Sequence, residues 1–366
     1  MITEAGKLSV FDLEGPLSTV DFAAEMCRML GEKLGRTDFD LLYRMISKYD
    51  DSLVENPRIL KKLGVEDYEP GDSLRLLAPL YVYYLTEEEL KRLSKSNLGL
   101  VPGASDTMKY LRQKDWPIFV ISTSYEQHAF NVTDALRIPR KNVYCTAFPI
   151  TELKRHAKGL TKPLGILVED ILGKFKKDGL DSVLEDLNSF FWENADNLYS
   201  ELMNQITVMG GKRKATILDR TCTETHCLHI NVIAVGDSIT DRNMLSVVKE
   251  NQGVAISFNG NKYSVPNANV AVTSPNLMGV NVIVDNYPHI WSTIEEWSEN
   301  FSTFRDSPDL IPDEFLSKKL KAYFIKLGFV PQLDDLRELS PEQRFKIIQD
   351  QQRMREKVRG WAGELG

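Results

Sequence analysis

No stretch of these 366 residues is apolar enough for long enough to cross a bilayer. A spanning helix needs about 20 apolar residues. The longest candidate, residues 76–85, is interrupted by Pro79 and carries Tyr81, Tyr83 and Tyr84. Cysteine is scarce, with 4 in the whole chain, too few for a disulfide scaffold. Positive charge is in deficit: 45 Lys and Arg stand against 52 Asp and Glu, a net charge of −7. That balance argues against a general nucleic-acid binder or an anionic-membrane binder, while leaving room for a locally basic pocket. Internal repeats and low-complexity segments are absent as well. The amino terminus carries Glu4 and runs at once into an apolar strand, which leaves no room for a signal peptide. The expectation is a reduced, cytoplasmic chain. What is present is ordinary globular composition, 42% hydrophobic and 27% charged, with enough length for a core and one or two added modules.

One stretch organises the rest. Residues 7–15 (Lys-Leu-Ser-Val-Phe-Asp-Leu-Glu-Gly) form a short apolar strand ending in two carboxylates one residue apart. Alternate side chains of a strand share a face, so Asp12 and Glu14 leave the sheet together, and Gly15-Pro16 turns the chain out. Open α/β sheets place ligands at this carboxyl end. Carboxylates this close repel unless a cation or a shared proton relieves them. Residues 232–241 repeat the theme: a buried strand, then Gly236, Asp237 and Asp241, with the two aspartates at the spacing of one helical turn. Between them, residues 117–124 form a strand ending in hydroxyls (Ser122, Thr123, Ser124). Residues 210–216 (Gly-Gly-Lys-Arg-Lys-Ala-Thr) begin a basic helix. Carboxylate pair, hydroxyl, lysine and carboxylate pair on parallel strands make a site for Mg²⁺ and phosphate.

With these four motifs in this order, the sequence resembles the haloacid-dehalogenase-like (HAD) phosphohydrolase superfamily. The resemblance spans residues 12–241. It lies nearest the phosphoserine phosphatase and phosphoserine/homoserine phosphotransferase branch, through Asp-Leu-Glu-Gly, Val-Ile-Ser, Lys-Ala-Thr-Ile-Leu and Gly-Asp-Ser-x-x-Asp. Archaeal HAD-like chains of this size are a further look-alike group. The implied fold is α/β, a Rossmannoid parallel-sheet core with a helical cap and a second helical insertion. The core would take residues 1–18, 98–150 and 208–300, the cap 19–97 and the insertion 151–207. A C-terminal helical extension would cover 301–366.

The chemistry follows. Asp12 is the nucleophile candidate, because a carboxylate attacking phosphorus divides one hard displacement into two easier ones. Glu14 reaches the leaving-group oxygen as general acid and then base. The family usually carries Asp there, so the extra methylene alters the geometry. Mg²⁺ takes oxygen ligands, here Asp12, the Glu14 carbonyl and Asp237, while Asp241 orients a ligand water or Lys214. Ser122 and the amides of Thr123 and Ser124 would hold phosphoryl oxygens, and Lys214 would neutralise Asp12 and the phosphate. Lys212 is its runner-up. Asp21 lies where phosphoserine phosphatases contact a substrate amine, and it equally suits a helix cap. Arg58 could meet a substrate carboxylate, but its basic run reads better as solvated.

The expected activity is Mg²⁺-dependent hydrolysis of a small phosphorylated metabolite. Phosphotransfer to an alcohol acceptor is one alternative. The other is a catalytically silent accessory or regulatory subunit, a hydrogenase-associated one included, although no residue supports that link. No nucleic-acid or membrane partner is expected, and homodimerisation is open. Residues 151–207 read as two to four amphipathic helices: a packed insertion, a second cap or a dimer surface. The tail reads as two helices, residues 313–327 and 341–361, the latter a solvated helix of mixed charge and an oligomer contact at most. Cys222, His226, Cys227 and His229 lack a standard zinc spacing and read as buried thiols beside surface histidines.

Overall fold

The computed structural model describes residues 6–193 and 198–364. Seven strands form one sheet: β1 (Gly6–Phe11), β2 (Ile118–Tyr125), β3 (Val143–Thr146), β4 (Cys227–Gly236), β5 (Val254–Phe258), β6 (Val270–Thr273) and β7 (Gln332–Asp335), in the order β3-β2-β1-β4-β5-β6-β7. The first six run parallel, and β7 closes the edge antiparallel to β6. Strands covered on both faces read as near-continuous apolar runs, and β5 is buried at every position. The chain builds outward from β1 to β3 on one side and from β4 to β6 on the other. The gap between β1 and β4 is therefore the topological switch point, where such sheets bind ligands. Register aligns the strand ends there, because Phe11 pairs with Val120 of β2 and with Val235 of β4. Asp12 and Asp237 thus emerge side by side.

The cap leaves the core through two adjacent linkers, with Thr19 N donating to Gly99 O at 2.6 Å. It contains helices Phe22–Leu34, Phe39–Glu55, Pro57–Lys62, Ser73–Tyr84 and Glu87–Ser96. The last opens on the expected acidic turn, with Thr86 and Glu89 forming a reciprocal capping box, which satisfies two orphan amides. Ser73–Tyr84 is apolar nearly all round and almost wholly buried.

The described residues of 151–207 are mostly helical, as their periodicity suggests, and they bury their apolar face against the cap. Phe190, Phe191 and Tyr199 join Tyr49, Leu76 and Tyr81 in one hydrophobic cluster. Tyr199 donates to Leu76 O at 2.6 Å and Tyr49 to Asn188 Oδ1 at 2.6 Å. Cap and insertion thus share a core.

The tail departs from the helical extension expected of residues 301–366. It supplies β7, and its helices are Lys318–Leu327 and Pro341–Arg359. Pro341–Arg359 is solvated on one side only: Ile347, Gln351 and Arg355 form a buried stripe. Sequence periodicity missed this because the buried face is polar. Gln351 Oε1 accepts from Gly260 N and from Ser257 Oγ at 3.1 Å, and Gln351 Nε2 donates to Thr273 Oγ1 at 2.8 Å. These bonds fix the helix to the ends of β5 and β6.

Candidate active site

Asp12 follows β1 directly, its amide donating to Val235 O at 2.8 Å. Lys214 comes from the helix Lys212–Glu224, two residues in from its start, and is fully buried. Its ammonium donates to Asp12 Oδ1 at 2.8 Å and to Asp241 Oδ1 at 2.7 Å. Asp241 Oδ2 accepts from the amides of Asp237 and Ser238 at 2.9 and 3.1 Å, which closes the turn after β4. Close packing demands glycine at two points here. A Cβ on Gly15 (φ +116°) would fall 2.1 Å from Asp237 Oδ2, and one on Gly236 would fall 2.6 Å from the Asp241 Cβ.

Carboxylate oxygens of Asp12, Asp237 and Asp241 lie within 4.8 Å of one another, all three residues buried. Asp237 Oδ1 is buried with no hydrogen-bond partner among the described residues. An all-oxygen set with one orphaned anionic oxygen suits a hard divalent cation such as Mg²⁺. The electrostatics agree. Burial, then the charge of Asp241, pushes the Asp12 carboxyl up to about 7 despite the nearby Lys214. Burial also raises Asp237, against the pull of Arg355 and Arg359. Burial opposes the charge on Lys214, but Asp12 and Asp241 outweigh it and hold the ammonium above its ordinary value.

Asp12 and Glu14 line one narrow cavity, with about 100 Å³ of free space, roofed by cap residues Tyr43, Ser47, Asp50 and Asp51. Glu14 Oε1 accepts from Phe22 N at 3.2 Å, so the acid also reaches the first helix of the cap. Burial, then the nearby Asp21, pushes its carboxyl up to about 8.

The other expected residues fall unevenly. Ser122 is buried, and its Oγ accepts from Ser124 N at 3.0 Å, beneath the cavity wall. The Thr123 hydroxyl turns aside to Met209 O at 2.9 Å. Asp21 is a helix cap here: Oδ1 accepts from Ala24 N at 3.0 Å and Oδ2 from the Tyr43 hydroxyl at 2.6 Å. Lys212 points to solvent, its side chain 76% exposed, whereas that of Lys214 is 0% exposed. Arg58 is exposed. Cys222 and Cys227 are buried, and His229 pairs with Asp219 at 2.7 Å. Among the described residues these thiols and imidazoles form no metal-binding group, and the aspartate cluster is the one such group found.

Two residues of the site were missed, and a third, Ser124, was expected to lend its amide, which donates instead to Ser122 Oγ. The buried Ser124 Oγ lines the cavity beside the Glu14 carboxyl, whose proton affinity it lowers. Arg355 and Arg359 enter from the tail: Arg355 Nη1 contacts Asp237 Oδ2, and Arg359 Nη1 lies 3.2 Å from the same oxygen. The available signal was Gln351, Arg355 and Arg359 recurring every fourth residue, a polar stripe on one helix face.

Sheet order, switch point and cap position define the class: the fold is a HAD-like α/β core. A gene product from Archaeoglobus fulgidus of solved structure matches with a TM-score of 0.69 over 99% of both chains, at 23% identity. A substrate-bound phosphoserine phosphatase matches with a TM-score of 0.47 at 15% identity, over 76% of this chain and 98% of that one. A HAD family hydrolase from Salmonella enterica gives 0.43 at 14% identity, over 71% and 65%. At these identities the likeness is one of fold. No family model and no curated protein matches the chain. No helix among the described residues is long and apolar enough to cross a membrane.

Proposed function

We propose that this protein is a Mg²⁺-dependent phosphatase acting on a small phosphomonoester. One observation carries the reading: Asp12, Asp237 and Asp241 converge around buried Lys214 at the switch point, under a cap. Asp12 attacks phosphorus in line through Oδ2, its Oδ1 being held by Lys214. The ester oxygen leaves with the proton of Glu14, whose raised pKa keeps that proton in place near neutrality. The resulting aspartyl-phosphate is opened by water, which gives a proton back to the Glu14 carboxylate and releases phosphate. Asp12, the Glu14 carbonyl and Asp237 would hold the cation, which supplies charge neutralisation to the phosphoryl oxygens. Lys214 supplies the second fixed positive charge, and the Ser124 hydroxyl, in the cavity wall beside Glu14, would donate to a phosphoryl oxygen.

The free volume of the cavity favours a small ester. Asp50 and Asp51 on its roof favour a polar one.

Phosphate release from a panel of small phosphomonoesters, phosphoserine included, tests the reading with and without Mg²⁺. Asp12→Asn is expected to lower turnover by at least about 10³-fold, since it removes the nucleophile. Equal rates in wild type and Asp12→Asn would sink the assignment.

A further inference from the structure

The tail touches the sheet, the aspartate cluster and the cap. Gln351 fixes it to the ends of β5 and β6. Arg355 and Arg359 share Asp237 Oδ2, and both side chains are more than nine-tenths buried. Arg359 Nε also reaches Thr19 O at 3.4 Å, in the linker where the cap departs. Beyond the helix, Trp361 lies under two cap arginines, 4.8 Å from the Arg28 guanidinium and 5.7 Å from that of Arg44. Glu364 pairs with Arg44 at 3.1 Å.

Charge completes the picture. Asp12, Asp237 and Asp241 bring three carboxylates and Lys214 one cation. The two arginines add two positive charges, as much as one divalent ion. They do so on a carboxylate whose other oxygen has no hydrogen-bond partner among the described residues.

We propose that the tail is an intramolecular latch whose arginines stand in for the divalent cation at Asp237 while holding the cap closed, so that metal binding and latch docking oppose each other. This rests on reading the aspartate cluster as the metal site. A neighbour that only orients a ligand changes metal affinity about 10–100-fold in the favourable direction. Unit charges about 4 Å apart, at an effective dielectric near 20, repel by roughly a thousandfold in binding. Repulsion therefore sets the sign.

The test is calorimetric titration of the full chain with MgCl₂, with folding monitored by circular dichroism. Arg355→Gln/Arg359→Gln is expected to bind Mg²⁺ at least about tenfold more tightly than wild type. Arg355→Lys/Arg359→Lys, which keeps the charge, should stay within about threefold. Trp361→Ala loosens the latch without touching the cluster, so it should tighten binding by a smaller factor and serves if the double variant does not fold. Measurable Mg²⁺ binding that is unchanged or weaker in the folded glutamine variant, or unchanged in Trp361→Ala, overturns the latch and leaves the metal site standing. No Mg²⁺ binding by wild type or any variant overturns both.

Discussion

Two sets of cations face different members of one aspartate cluster, and they are built differently. Lys214 belongs to the core: its helix starts beside the cap residues Glu69 and Pro70, at Gly210 and Gly211, where a Cβ would collide with Pro70 O and Glu69 Oε2. Its ammonium spans Asp12 and Asp241 with two charge-assisted hydrogen bonds. Arg355 and Arg359 arrive from the chain's last helix and meet only Asp237 among the three carboxylates, at a single oxygen. The first arrangement has one cation holding two anions inside the fold. The second has two cations on one anion, carried by a segment that also grips the cap. A charge enclosed in the core is a fixed part of the site, while a charge on a peripheral helix can leave with that helix.

The sharpest way to break this comparison is Lys214→Met. It leaves Asp12 and Asp241 buried with no cation between them, and truncating one side of a buried ionic network costs about 3–5 kcal/mol. Denaturant unfolding should show a loss of that order at neutral pH, together with loss of turnover. A variant as stable as wild type would mean the two carboxylates find another counter-charge, and Lys214 would no longer differ from the arginines in kind.

A smaller effect is expected at the tail. Gln351→Ala removes bonds to Ser257, Gly260 and Thr273 at a buried position and leaves those groups unsatisfied, at about 1–3 kcal/mol. The loss should appear as earlier exposure of residues 341–364 in hydrogen exchange, with the central strands β1 and β4 still protected. Uniform loss of protection across the sheet would instead make the tail part of the core's cooperative unit.

How much of this could be read from the residues alone follows from the same contrast. The strands carrying Asp12 and Asp237 announce themselves, because a doubly covered parallel strand must be apolar throughout and the carboxylates that end it stand out. Lys214 is legible for a similar reason, as the basic start of a helix after two glycines. The tail is not. Pro341–Arg359 buries Gln351 and Arg355 in place of leucines, so a hydrophobic period reports a solvated helix. The side-chain direction at Thr123 was equally out of reach, since Met209 captures it from a distant part of the chain, whereas the cap at Asp21 was one of the two readings its position offered. Nor did β7 stand out: Gln-Leu-Asp-Asp has one apolar residue, and its pairing with β6 is what makes it a strand.

His128 gives the smallest prediction and extends the comparison to a buried group that carries no charge. It is fully buried between cap and core, with Ser18 Oγ at 3.3 Å and Ser94 Oγ at 3.0 Å on its two ring nitrogens and Phe22 stacked at 4.9 Å. Burial lowers its pKa from 6.5 to about 3. The unfolded chain therefore takes up the proton first as pH falls. The stability tied to neutral His128 is whole above about 6.5 and is lost between there and about 3, at close to 1 kcal/mol per pH unit. The buried carboxylates with raised pKa values shift stability the opposite way, but wild type and a His128 variant share them, so the difference between the two isolates the imidazole. Urea unfolding of wild type and His128→Asn at pH 6 and pH 5 should show wild type losing about 1 kcal/mol more than the variant over that unit. Parallel losses would mean that His128 already carries its proton in the folded protein. The seam between cap and core would then hold an unpaired buried charge, as neither the Lys214 nor the arginine arrangement does.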